Sequence, residues 1–258
     1  MKMEPNYVDF NGEQLFLIEG VVSELQFARS SINLLTEIEA NAKNKSSAAG
    51  VIAALTEMHG ILANSFVLSM YEGEDTFNFA GYVDGKVVFG VLSQAVRLKD
   101  GDAVKVVVSQ RDDVFFVHSL LRQADDLLML PTMVYAGERA FFKSCMRTAF
   151  WSTVSIWVVF FIGAYFLFRD VSLPREREVI LFCMILFVPP IFIYLLEYRT
   201  YAMTKYYGLY ASAIFAAFRL PDPDYLDVRS GLMNYRDGNE EYSGINLRVA
   251  IEKHNGQR

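Results

Sequence analysis

The chain has 258 residues but only two cysteines, three histidines and two tryptophans. Cys145 and Cys183 form no CxxC pair, and His59, His118 and His254 are scattered. A structural zinc site needs four nitrogen or sulfur ligands at workable spacing, and none is offered here. Cations are in deficit too, with 24 Lys and Arg against 30 Asp and Glu, a formal net charge of −6. Nucleic-acid binding depends on clustered Lys and Arg facing phosphate, so that class is excluded.

Catalytic signatures are missing. There is no GxSxG elbow, HExxH pair, phosphate loop or GxGxxG fingerprint. Asp112-Asp113 and Asp125-Asp126 are adjacent acids. Neighbours in sequence point in different directions, so these pairs read as solvation of a turn and of a helix start. The expectation is a non-enzyme with no catalytic, cofactor-binding or metal-ligating residues and no cofactor. The opening Met1-Lys2-Met3-Glu4-Pro5-Asn6-Tyr7 has no apolar signal core, and Lys2 rules out myristoylation.

What the chain does have is apolar residues, 53% of the total, and they are concentrated. Residues 148–168 carry no charge and make roughly 30 Å of helix, the thickness of a bilayer's hydrocarbon core. Arg147 and Arg169 bound the run, and Ser152, Thr153 and Ser155 can bond their own backbone. A soluble core helix of this length would show a polar face. Residues 179–196 are a second charge-free run, interrupted by Pro189-Pro190. The prolines remove backbone donors and predict a bend, read as a feature of an anchor rather than a gate because no polar group accompanies it.

The short connection 169–178 can join only adjacent antiparallel helices, which predicts a transmembrane hairpin. Trp151 and Tyr198 then share one membrane interface as an aromatic belt. Arg139, Lys143, Arg147, Arg199 and Lys205 flank the outer ends, and Arg169, Arg175 and Arg177 lie in the loop. With a long stretch ahead of the first span and no signal to export it, both termini are expected in the cytoplasm of a multi-pass protein. No Asp, Glu, Lys, Arg or His lies within either run, which argues against a transporter. A homo-oligomeric channel built on carbonyls stays compatible.

Residues 1–135 read as a β-rich domain. Candidate strands are 15–25, 66–71, 76–82, 86–91, 103–110 and 114–120, rich in Val, Phe and Tyr. Val83-Asp84-Gly85, Asp100-Gly101-Asp102 and Arg111-Asp112-Asp113 supply turns. Short strands joined this way predict a small barrel or sandwich, and a barrel with a helical insertion resembles an oligonucleotide-binding (OB) fold, here without that fold's basic groove. Ala48, Val51, Ile52, Leu55, Met58 and Leu62 keep helical spacing, so a helical insertion after the first strand is expected to cover the barrel.

The hairpin occupies 136–200, and 201–258 completes the chain. Met203, Tyr206, Tyr210, Ile214 and Phe218 form one helical stripe, too short to cross a membrane. Such an amphipathic helix either lies along the interface or packs on the barrel. Pro221-Asp222-Pro223-Asp224 and Asp227 read as a turn whose acids cap backbone donors. The tail from Arg236 onward is polar and expected to be partly mobile. The fold class is thus an α+β membrane protein: barrel, hairpin, then amphipathic helix.

Phe16-Leu17-Ile18-Glu19-Gly20-Val21-Val22, Leu98-Lys99-Asp100-Gly101-Asp102, the two apolar runs and Pro221-Asp222-Pro223-Asp224 together resemble a group of bacterial proteins labelled type VI secretion system effectors. The resemblance implies a Gram-negative inner membrane and a role as effector, immunity or accessory protein, with no catalytic residues to carry over. Together these readings lead to a membrane-anchored, non-enzymatic interaction protein. Its partners would be the lipid bilayer and a protein held by the β-domain. The alternative is a membrane-permeabilising, pore-forming toxin.

Overall fold

The computed structural model describes residues 7–28, 76–111, 114–168, 175–237 and 240–256. At 28, 76–77, 111, 164, 166–168, 175–183, 185–186 and 237 only the course of the chain is described. The candidate strand 66–71, the helical insertion and residues 112–113 of the third turn lie outside that range.

The first strands are β1 (Tyr7–Phe10), β2 (Glu13–Ala28), β3 (Thr76–Val83) and β4 (Lys86–Ser93). They are followed by β5 (Ala103–Arg111), β6 (Val114–Arg122) and β7 (Leu127–Met129). The order β2-β3-β4-β6-β5 returns to β2 and closes a five-stranded barrel. Closure depends on β2 serving two neighbours. Leu15 to Val21 pair with β5, and Val22 to Ala28 pair with β3. The change of partner coincides with a register shift between Ser23 and Gln26, where Glu24 takes φ 54°. An irregularity of this kind bends a strand and increases its twist, which a small barrel requires. All pairs of the barrel are antiparallel except β4 with β6. Gly90 permits that contact, since a Cβ there would lie 2.8 Å from Val117 Cβ.

The turn residues act as expected. Asp84 (φ 51°) and Gly85 (φ 74°) form the tight β3–β4 hairpin, and Gly101 (φ 94°) turns the chain into β5. Alternation along β5 then divides the core. Val104, Val106 and Val108 point into the barrel with Ile18, Phe79 and Leu92, while Val107 points outward.

What Val107 meets is helix. Two long helices follow the barrel, α1 (Glu138–Phe168) and α2 (Arg175–Ala217). α2 is continuous through Pro189 and Pro190 and across residue 200, so the expected amphipathic helix is its final stretch. At 43 residues it is about 65 Å long. The choice between membrane surface and barrel is resolved toward the barrel. Ala211, Ile214, Phe215 and Phe218 are buried in one cluster with Leu15, Val107, Leu121, Leu128 and Leu130. Burying each large side chain there contributes about 1.5–3 kcal/mol.

α1 and α2 run antiparallel. Lys205 Nζ lies 2.9 Å from Glu138 Oε1, and the Phe142 and Tyr201 rings are 4.9 Å apart. Among the described residues, Glu138–Gly163 is the one helical stretch long and apolar enough to cross a membrane, with mean hydropathy 1.5 and only 11% of its most apolar window buried. Side chains of the second run, 179–196, are described only in part. Cys145 is a buried free thiol.

The tail differs from its expectation. It forms β8 (Leu232–Asp237), β9 (Glu240–Asn246) and α3 (Leu247–Gly256). β9 pairs with β7, so the chain's end extends the barrel sheet. The reason is pattern rather than composition. Tyr235, Tyr242 and Ile245, which pack on the core, are spread among polar residues that occupy the solvated face of an antiparallel hairpin. Asn246 then starts α3, its Oδ1 accepting from Val249 N at 3.0 Å.

Candidate functional site at the helix and barrel junction

A buried polar cluster lies where α2 meets the barrel. Its centre is His118, which is 5% exposed. Pairing between β5 and β6 passes from Val107↔Ser119 to Val108↔Val117, so the register skips His118. That bulge re-aims the imidazole out of the sheet toward α2.

Four side chains from three strands and one helix connect there. Tyr210 Oη lies 2.5 Å from His118 Nδ1, and Ser109 Oγ lies 2.8 Å from Nε2. Ser109 Oγ donates to Glu13 Oε2 at 3.2 Å. An ionised carboxylate can only accept, and a serine hydroxyl has one proton to give. Ser109 must therefore accept from His118 Nε2–H. In the neutral imidazole Nδ1 is then the acceptor, and Tyr210 donates to it. The chain runs one way, Tyr210 to His118 to Ser109 to Glu13, and ends on a carboxylate that is 36% exposed.

Aromatic rings frame this line. Phe116 stands edge-on to His118 at 5.0 Å, and Phe10 stacks on Tyr210 at 5.1 Å. Tyr206 completes the group, 5.5 Å from Phe10. Its phenol is pushed above the ordinary tyrosine range, first by burial and then by the nearby Glu13 charge.

A serine hydroxyl on a histidine nitrogen invites comparison with nucleophilic catalysis. The geometry points elsewhere. Ser109 is 2% exposed, so a substrate carbonyl cannot reach Oγ in this conformation. Its proton is directed at Glu13 rather than at the imidazole. What the arrangement does is pin α2 to the barrel wall through a fully paired buried line.

Two further junctions tie the ends of the chain to the same body. Arg122 makes a bidentate pair with Asp125, Nε to Oδ1 at 2.9 Å and Nη2 to Oδ2 at 2.8 Å. It also donates to Arg97 O and to Tyr242 Oη. The Asp125 pairing, foremost, holds its pKa above the usual arginine value. Arg97 lies over the Tyr242 ring at 4.4 Å and pairs with Glu240 at 2.8 Å. Asp126, the next residue, accepts from Leu247 N through its carbonyl and pairs with Arg248.

The Pro-Asp-Pro-Asp segment forms the other junction. Asp224 O accepts from Arg139 N and Ala140 N, and Ser212 Oγ accepts from Glu138 N, so the first turn of α1 is satisfied by other elements. Asp222, at φ 47°, accepts from Tyr225 N and Leu226 N through its carbonyl. Carboxylate capping, expected of all these acids, is found at Asp227, whose Oδ1 accepts from Arg229 N. The main-chain carbonyls of Asp222 and Asp224 also accept from backbone donors. No group of three or more potential metal ligands occurs among the described residues.

Sequence reading brought none of Glu13, Ser109, His118 and Tyr210 together. His118 was visible only as an isolated histidine inside a strand, and a strand histidine between Val117 and Ser119 gives no sign of a bulge. No family model, curated protein or solved structure matches the chain, so the functional reading rests on its own residues.

Proposed function

We propose that the chain is a non-enzymatic interaction protein, anchored in a membrane by α1 and α2, with its barrel held at the cytosolic face. The observation that carries this reading is an exposed apolar band. Val158, Val159, Phe160, Phe161 and Ile162 of α1 and Phe187, Val188, Ile191, Phe192 and Leu195 of α2 are all exposed. An exposed apolar surface of this extent is unstable in water and matched by hydrocarbon. Toward the barrel the helices are flanked by Arg147, Arg199 and Lys205.

In this reading both helices cross the membrane and both chain ends stay in the cytoplasm. The barrel is OB-like in its strand order, with one parallel pair, and serves as a protein-binding module. Among the described residues β8 ends the sheet on the side away from β1, and its Leu232 and Met233 are exposed. Association with type VI secretion at a Gram-negative inner membrane, as effector, immunity or accessory protein, follows from the sequence resemblance and belongs to the same proposal.

The rival, a pore-forming toxin, draws on the hydroxyl line Thr148, Ser152 and Ser155. A conducting stripe has to continue across the bilayer, and beyond Ser155 the exposed positions Val158, Val159, Phe160, Phe161 and Ile162 are all apolar before Tyr165 is reached. The test is expression of the intact chain beside a deletion of residues 148–196, with carbonate-resistant membrane association, growth and membrane potential followed together. Stable membrane association with normal potential supports the anchor. Depolarisation that needs residues 148–196 supports the toxin, and a soluble intact chain defeats both.

A further inference from the structure

One face of α1 carries groups in a particular order. Cys145, Ala149 and Thr153, at helical spacing, form its buried side. On another side, Arg147, Thr148, Trp151, Ser152, Ser155 and Ile156 line a shallow open groove of about 550 Å³. Trp151 is 61% exposed there. The groove lies where charge runs out, since Arg147 is the last ionisable residue before the apolar run 148–168.

Followed along the helix, this face presents cation, hydroxyls and indole, then alkyl. Lys143 and Arg147 come first, one turn apart. Thr148, Ser152 and Ser155 follow beside Trp151, and Val159 and Ile162 come last, both exposed. A glycerophospholipid presents the complementary order along its own length: an anionic phosphate, glycerol and ester oxygens, then acyl chain. Thr148 Oγ1 already donates to Ser144 O at 3.1 Å, so Ser152 and Ser155 are the hydroxyls placed to donate outward.

The charge balance agrees. Near the barrel end, the two helices carry Arg139, Lys143, Arg147, Arg199 and Lys205 against the acids Glu138 and Glu197, and Asp224 lies near Arg139. Lys205 is engaged by Glu138, and Arg139 by the Tyr225 hydroxyl and ring. Among the described residues Arg147 has no such partner, and its guanidinium suits a phosphate's paired oxygens.

We infer that this groove is a specific site for one anionic glycerophospholipid. The phosphate sits on Arg147, the glycerol and ester region on Ser152 and Ser155 beside Trp151, and an acyl chain along Val159 and Ile162. The inference rests on the membrane reading above. Carbonate-resistant membrane association of the intact chain is therefore established first, so failure of that reading is seen separately.

The intact protein is then purified in detergent micelles containing equal amounts of phosphatidylglycerol and phosphatidylcholine, and retained lipid is measured by native mass spectrometry. Retention of phosphatidylglycerol over phosphatidylcholine is expected. Arg147→Gln lowers that retention about tenfold, equivalent to about 1.4 kcal/mol. Ser152→Val lowers it several-fold, Arg147→Lys keeps part of it, and Arg199→Gln on the other helix leaves it unchanged. Circular dichroism of each variant checks that the fold is intact. Equal retention of the two lipids, or undiminished retention by folded Arg147→Gln, overturns the site. Displacement of the lipid by inorganic phosphate at the same concentration marks a soluble-phosphate site instead. A dimer lost on Arg147→Gln without any bound lipid marks the groove as a contact between copies of the chain.

Discussion

His118 Nδ1 and the hydroxyl of Tyr210 lie 2.5 Å apart, although 92 positions separate them in the chain. One belongs to the barrel wall and the other to the helix that leaves it. Removing the hydroxyl strands a buried nitrogen. Tyr210→Phe should therefore cost about 1–3 kcal/mol, the usual penalty for an orphaned buried polar group. Urea unfolding of the detergent-solubilised protein, followed by circular dichroism, measures it. An unchanged midpoint would mean that the relay contributes nothing to holding α2.

Arg122 should matter more for the end of the chain than for the barrel. Its side chain is 11% exposed and pairs with Asp125 on one side and Tyr242 on the other. Arg122→Met leaves Asp125 without its cation and costs about 2–3 kcal/mol. Amide hydrogen exchange should rise first in β8 and β9. Exchange that rises uniformly across the barrel would contradict a local role.

Two glycines give opposite expectations. A Cβ on Gly137 would lie 2.0 Å from Pro223 O, so Gly137→Ala forces the turn and α1 apart. A loss of about 1–3 kcal/mol follows, as for other overpacked sites. A Cβ on Gly163 meets nothing within 4 Å, and the residue lies inside α1. Gly163→Ala should be neutral or stabilising by up to about 1 kcal/mol. Thermal midpoints of the two variants should move in opposite directions or differ clearly, and a shared shift would refute the packing described around residue 137.

Alkaline pH should weaken the fold. Burial raises the phenols of Tyr206, Tyr207 and Tyr235 above the ordinary tyrosine value of about 10. Between the unfolded and folded pKa, the unfolded chain has lost protons that the folded chain keeps, so stability falls as pH rises through that window. Below about pH 10 these groups contribute their full share and the profile is flat with respect to them. Denaturation midpoints measured across this range test it, and Tyr206→Phe should flatten the decline. A decline of undiminished slope in that variant would remove Tyr206 from the explanation.

The barrel was legible because its strands alternate and its turns use residues that tolerate positive φ. Expected strands 76–82, 86–91, 103–110 and 114–120 appear as β3 to β6 with ends extended by one or two residues. Expected strand 15–25 grew at both ends into β2, because the bend that lets it change partners lies within it. The apolar run of α1 was legible from the absence of charge. The hairpin of β8 and β9 was hidden by its polar outer face. The cluster around His118 was hidden for another reason. Glu13, Ser109, His118 and Tyr210 are joined only by closure of the barrel and docking of α2, and neither event leaves a local pattern.

The unbroken course of α2 has a mechanical consequence. Nearly the whole of one 43-residue rod lies between the far end of the apolar band and the buried Phe215. With the band in a bilayer, no flexible loop separates the lipid from the barrel. A tilted helix adjusts its angle to the thickness of the hydrocarbon layer, and here such a tilt would swing the barrel through an arc above the surface. Pro189 and Pro190 mark the one point where the rod lacks two backbone donors and can give. The barrel's height and heading would thus report the thickness of the membrane it stands on.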